Sequence, residues 1–95
     1  MLEEMNEVYS LNKNIILKGI NKKFWALDTK SGSQFRLNEL SFDILSALDG
    51  KTPMVEIVDL QLKKYDIDKE TMTKDVHVFL ETATQKSFIT LDKEK

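Results

Sequence analysis

Regular patterning begins at Ile15. Before it, residues 1–14 (MLEEMNEVYSLNKN) mix polar residues with scattered apolar ones at no fixed period, which predicts an N-terminal tail or a short helical arm. Three short runs follow, 15–18 (IILK), 23–28 (KFWALD) and 33–37 (SQFRL). They are rich in aromatic and β-branched residues and predict three strands. Gly19-Ile20-Asn21 is the first predicted turn and Asp28-Thr29-Lys30-Ser31-Gly32 the second. In the third run Phe35 and Leu37 alternate with Gln34 and Arg36, the pattern of one buried and one wet face.

The period then lengthens to that of a helix. Asn38 is a good N-cap, Leu40, Ile44 and Leu48 recur every fourth residue, and Gly50 supplies a left-handed C′ residue, which predicts a first helix of about three turns. Thr52 and Pro53 read as N-cap and first helical residue of a second helix, with Ile57, Leu60 and Tyr65 on one face. Asp68 caps a third helix, in which Met72, Val76, Phe79, Leu80 and Ala83 follow at spacings of three and four. Residues 88–91 (FITL) predict a short closing strand. At about 100° per residue, the third helix carries Asp75, Thr82 and Lys86 on one flank of its apolar stripe and Thr73, His77 and Thr84 on the other. Val78 belongs to neither the stripe nor a wet face; it reads either as a lone exposed valine or as one wall of a binding groove.

A chain of 95 residues supports one small core and one domain. There is no cysteine, no apolar run near the roughly 20 residues of a spanning helix, and an acidic start (Leu2-Glu3-Glu4) unlike a secretory signal. These features predict a soluble, cytoplasmic chain with no membrane partner. The net charge of −2, with lysines and acids interspersed, provides no basic face for a phosphate backbone. Catalysis finds no support. His77 is the only histidine, no glycine-rich elbow or phosphate loop is present, and no acidic or cysteine cluster has metal-ligand spacing. The chain is read as a non-enzyme with no metal and no cofactor. Trp25, on the middle strand, reads as core or half-buried packing.

Leu37-Asn38 before the first helix, Ile44-Leu45, Asp49-Gly50, Glu56-Ile57, Tyr65, Asp75-Val76 and Phe79-Leu80 occur in an order and spacing that resembles the PqqD-like family. Members of that family are recognition elements for ribosomally made, post-translationally modified peptides. The resemblance covers roughly residues 15–89 of a domain read as 15–91. The chain departs from it at Gln61 and Ala83, where members commonly have leucine, at Ser87, where they have glycine, and at Phe42, where small residues are usual.

The resemblance implies an α+β, winged helix-turn-helix-like domain, a three-stranded antiparallel sheet followed by three helices, with no catalysis of its own. It implies that the leader of a precursor peptide adds as an antiparallel strand along the third strand, against the third helix, and is delivered to a modifying enzyme or leader peptidase. A radical-SAM enzyme or a lasso-pathway peptidase would each suit. The expected peptide-binding residues are Ser33, Gln34, Phe35, Arg36 and Leu37 on the strand and Lys74, Asp75, Val78, Phe79, Thr82 and Lys86 on the helix. An edge strand with unpaired backbone donors and acceptors makes such augmentation physically reasonable. Arg36 and Asp75 read either as contacts to charged leader residues or as solvated surface groups. Two rival classes remain. A DNA-binding winged helix is disfavoured because Asp68, Glu70, Asp75 and Glu81 balance Lys69, Lys74 and Lys86 on the third helix, so no nucleic acid is expected. A strand-edge dimerisation scaffold uses the same open edge, and the expected state is a monomer or weak homodimer.

Overall fold

The computed structural model describes residues 6–92 as a mixed α+β chain. The order is β1 (Val8–Leu11), β2 (Ile15–Ile20), β3 (Lys23–Asp28), β4 (Gln34–Leu37), α1 (Glu39–Ala47), α2 (Met54–Lys64), α3 (Lys69–Gln85) and β5 (Ile89–Asp92). Strands β2, β3 and β4 form an antiparallel sheet in that order, the three strands and three helices expected from the sequence. A separate antiparallel ribbon pairs β1 with β5, Val8 opposite Asp92 and Leu11 opposite Ile89.

The first predicted turn is displaced. Gly19 and Ile20 belong to β2, and the turn is Asn21-Lys22, both left-handed at φ 53 and 64, as a two-residue hairpin loop requires. Gly19 is a strand residue because Phe24 lies opposite it: a Cβ there would stand 3.0 Å from the Phe24 ring, which stacks on Phe42 of α1 at 4.5 Å between centroids. Phe42 thus ties α1 to the sheet.

Asn38 caps α1 as expected, its Oδ1 accepting from the Ser41 N–H at 2.8 Å. The helix ends earlier than expected, with Leu48 as C-cap, so Gly50 lies one position beyond C′. Gly50 has φ 74, and its N–H donates to the Tyr9 carbonyl at 3.2 Å. The Asp49 carboxylate accepts from the Thr52 and Lys51 N–H groups and the Thr52 hydroxyl, bonds that hold its pKa below the ordinary value. Thr52 is therefore tied back to Asp49, and Pro53, not Thr52, is the N-cap of α2.

On α2 the buried residues are Met54, Ile57, Val58 and Gln61, whereas Leu60 is 56% exposed. The predicted face of Ile57, Leu60 and Tyr65 is corrected in that member: Leu60 lies about 100° from Gln61, off the packed side. Gln61 is 7% exposed, and its Oε1 has no hydrogen-bond partner among the described residues.

Helix α3 buries Met72, Val76, Leu80 and Ala83 and half-buries Phe79. Its end is a Schellman closure: the Phe88 N–H donates to the Ala83 carbonyl at 2.9 Å and the Ser87 N–H to the Thr84 carbonyl at 3.1 Å, with Ser87 left-handed at φ 62. Ser87 thus fills a position that glycine fills most easily. The predicted closing strand is displaced by one residue to Ile89–Asp92, with Phe88 buried just before it.

Residues 1–14 were expected to be a tail or helical arm. Residues 1–5 lie outside the described residues, and 8–11 form strand β1. Beyond its pairing with β5, this segment bridges Val8 to Pro53, accepts the Met54 N–H on the Glu7 carbonyl at 2.9 Å, and places Tyr9 in the core at 7% exposure. Its strand character depends on partners far along the chain, which a four-residue alternation with polar flanks does not announce. No helix among the described residues is long and apolar enough to cross a membrane.

Candidate functional site

Strand β4 pairs with β3 along one side only; its other side carries no strand among the described residues. Pairing places Phe35 opposite Ala26 and Leu37 opposite Phe24, the inward residues of β3, so Phe35 and Leu37 share the face toward the helices while Gln34 and Arg36 point outward. Phe35 meets Phe88 edge-to-face at 5.1 Å, and the Lys86 Nζ sits 4.9 Å from the Phe35 ring centroid.

Two hollows open along this edge. One, about 290 Å³, is walled by Phe35, Arg36 and Leu37 of β4, Phe79, Thr82 and Lys86 of α3, and Phe88. The second, about 380 Å³, is walled by Leu40 and Ile44 of α1 and Asp75 and Val78 of α3. Asn38, Ser41 and Phe79 border both, so the hollows form one trough with Phe79 between them. Phe35 stands at the Lys86 end, whereas Asn38 and Ser41 approach Phe79 and Asp75, so β4 and α3 run in opposite directions along it. Lys86 makes one end basic and Asp75 lies at the other, while Arg36 borders the hollow but turns its guanidinium over Trp25 on the outward face.

Eight of the expected site residues, Phe35, Arg36, Leu37, Asp75, Val78, Phe79, Thr82 and Lys86, are brought together here. Val78 is 59% exposed and borders the second hollow with Leu40 and Phe79. Three others stand outside the trough. Ser33 lies in the β3–β4 turn, its carbonyl accepting from the Asp28 N–H at 2.9 Å. Gln34 faces the opposite side of the sheet beside Trp25, and Lys74 pairs with Glu70 at 3.9 Å on exposed helix surface. Sequence reasoning missed Asn38, Leu40, Ser41, Ile44 and Phe88. For Asn38, Leu40 and Ser41 the signal was the first turn of a helix following an edge strand with almost no loop, which brings that turn alongside the edge; Ile44 and Phe88 carried no such local signal.

A second polar cluster holds α1 to α2 away from the trough. The Tyr65 hydroxyl donates to Asp43 at 2.6 Å, and the Lys64 Nζ lies 2.7 Å from Asp43 and 3.4 Å from Glu39. Burial, followed by the Asp43 carboxylate, pushes the Tyr65 phenol well above its ordinary value.

The sequence profile described as coenzyme PQQ synthesis protein D (PqqD) matches residues 25–89, most of the chain, from the middle strand of the sheet to the start of β5. The chain belongs to the PqqD family. No curated protein sequence matches it. Among solved structures, TbiB1 in complex with the TbiA(beta) leader peptide superposes with a TM-score of 0.73 at 23% identity, over 90% of this chain and 98% of that one. Lasso peptide synthetase B1 complexed with the leader peptide gives 0.72 at 18% identity, over 86% and 96%. The fold of this PqqD-family chain, including most of what lies outside the profile match, is therefore shared with both. Among its described residues no three of His, Cys, Asp and Glu gather as a metal site, and His77 lies 3.6 Å from Glu81 on the same helix.

Proposed function

We propose that this chain binds the leader segment of a ribosomally made precursor peptide as an antiparallel strand added to β4, and holds it for a modifying or leader-cleaving enzyme without catalysing a reaction itself. The observation that carries this reading is the open β4 edge lying against a trough walled by Phe35, Leu37, Val78 and Phe79. Backbone bonds to the edge supply affinity for any extended peptide, and the trough selects among side chains on one face of it. Support comes from the two structural neighbours, each determined with a leader peptide bound.

An antiparallel strand on β4 has a fixed polarity. The leader would run from the Asp75 end toward the Lys86 end, with apolar side chains two residues apart in the two hollows and the tethered core segment leaving beside the β3–β4 turn. Ser33 and Gln34 would then border the departing segment. Tethering raises the effective concentration of the core segment at an enzyme held nearby. Because the leader orders on binding, the expected dissociation constant is about micromolar or somewhat tighter, about −8 kcal/mol.

Fluorescence anisotropy of labelled leader peptides from candidate precursor reading frames near this gene tests the reading beside a labelled random DNA duplex at two salt concentrations. Saturable leader binding that salt barely changes, with no duplex binding, is expected. Val78→Glu should weaken leader binding about tenfold or more while leaving thermal stability nearly unchanged, because the side chain is exposed at the rim. Parallel loss of binding and stability would place Val78 in the core and remove the trough assignment; duplex binding without leader binding would reject the function.

A further inference from the structure

We infer that the outward face of the three-stranded sheet is a second docking surface, built for a protein partner with an acidic, partly apolar face. Under the function proposed above, that partner is the enzyme that receives the leader-bound precursor, and the assignment rests on that reading.

Register defines the surface. Ile16 lies beside Leu27, and Leu27 beside Gln34; the next row is Lys18, Trp25 and Arg36; Ile20 and Lys23 complete it at the hairpin. Folding does not require this face. The opposite face of the sheet carries the packing, with Ile15, Ala26 and Leu37 buried and Phe24 stacked on Phe42. Yet Ile16 and Ile20 stand 51% and 49% exposed on the outward side, next to the half-buried Trp25 and Leu27. A hollow of about 220 Å³ opens between Ile20, Trp25 and Leu27. Isolated exposed apolar residues are ordinary, but a row of them around a tryptophan is the composition of an interface core.

Charge specifies the occupant. The outward positions include Lys18, Lys23 and Arg36, Lys22 adjoins them in the hairpin turn, and none of those positions is acidic. The chain as a whole carries −2, so this face, with cations and no acid, departs in sign from the chain's average. The Arg36 guanidinium lies 5.5 Å from the Trp25 ring centroid, the pairing of residue types that most often anchors an interface. Cations set among apolar residues complement an acidic face and disfavour face-to-face pairing with the same surface of a second copy, which would set cation against cation.

The position is also suitable. A strand added to β4 would extend this same sheet, so leader side chains pointing away from the trough would continue the outward surface. The partner would then meet a surface completed by the leader, and leader and partner would favour each other's binding reciprocally.

The test uses the full chain, the leader that binds it, and a candidate leader-processing enzyme from the same genomic neighbourhood. Two double variants are compared with the wild type, Lys18→Glu with Lys23→Glu and Ile16→Ser with Ile20→Ser, all at exposed positions outside the trough. Leader affinity is read by anisotropy, enzyme affinity by calorimetry, and folding by circular dichroism. The expected result is enzyme binding weakened about tenfold or more in both variants, leader affinity within twofold of wild type, and wild-type enzyme binding that falls with added salt. Enzyme binding unchanged in folded variants overturns the inference. So does leader binding lost together with enzyme binding, which would merge the face with the trough. So too does DNA-duplex binding or self-association removed by these substitutions while enzyme binding persists. A wild-type chain that binds the enzyme through this face but binds no leader overturns the proposed function and leaves the acidic-partner surface standing.

Discussion

Ser87 holds φ 62 at the close of α3, where a side chain costs on the order of 1 kcal/mol relative to glycine. Ser87→Gly is therefore expected to raise stability by about 1 kcal/mol, read as a higher urea midpoint with an unchanged slope. A lower midpoint would show that the serine side chain offsets its own backbone strain. Gln61 poses the complementary case. Its Oε1 is buried without a partner among the described residues. Gln61→Leu should stabilise by about 1 kcal/mol in the same assay, since the removed group is a desolvated acceptor of similar shape to its replacement. Both residues were visible in the sequence as departures. Their cost was not, because it depends on backbone geometry in one case and on unpaired burial in the other.

Among the elements, α1 and α2 are joined by the Asp43, Tyr65 and Lys64 cluster, and its consequence is a pH dependence. The Tyr65 phenol has a folded pKa raised above its ordinary value, so the fold retains a proton that the unfolded chain releases from about pH 10 upward. The corresponding stability is fully present below about pH 10 and is lost as pH rises toward the folded value. Tyr65→Phe should cost about 1–2 kcal/mol at neutral pH and flatten the alkaline decline of the unfolding free energy. A variant with the wild-type decline would assign it to another group. The Asp49 carboxylate has the opposite sign: its lowered pKa lends support above about pH 4 that fades as acid titrates it.

The element pattern itself was largely legible. Strand β3 and the three helices follow from short-range periodicity and capping, which act within a few residues. Gly19 misled because glycine marks turns in isolation, whereas here it admits an aromatic ring from the facing strand. Leu60 misled because apolar character does not reveal which side of a helix meets the core.

For the whole molecule, the N-terminal segment shows most clearly that closure is cooperative. Strand β1 pairs with β5 and packs Tyr9 into the core, and Asn12 anchors both Ser87, through its side chain, and Phe88, whose carbonyl accepts the Asn12 N–H at 2.9 Å. Deleting residues 1–11 should lower stability by about 3 kcal/mol or more, on the scale of removing a large buried aromatic, whereas deleting 1–5 serves as the control. Equal urea midpoints for the two deletions would return the segment to the status of a loose arm. The trough likewise exists only in the assembled molecule. Its walls come from β4, the first turns of α1, the middle and end of α3, and Phe88. No local period links them.

By itself the sequence determined the type and order of the main elements from β2 onward and the family, because periodicity and cap residues act locally and a family pattern is carried by residue order. Tertiary structure alone decided that residues 8–11 are a strand, that Val78 walls a trough, that Ser33, Gln34 and Lys74 stand outside it, and that the cations of β2, β3 and β4 share one face. Each of these depends on contacts between residues distant in the chain, whose register is set by packing and not by the identity of any one of them.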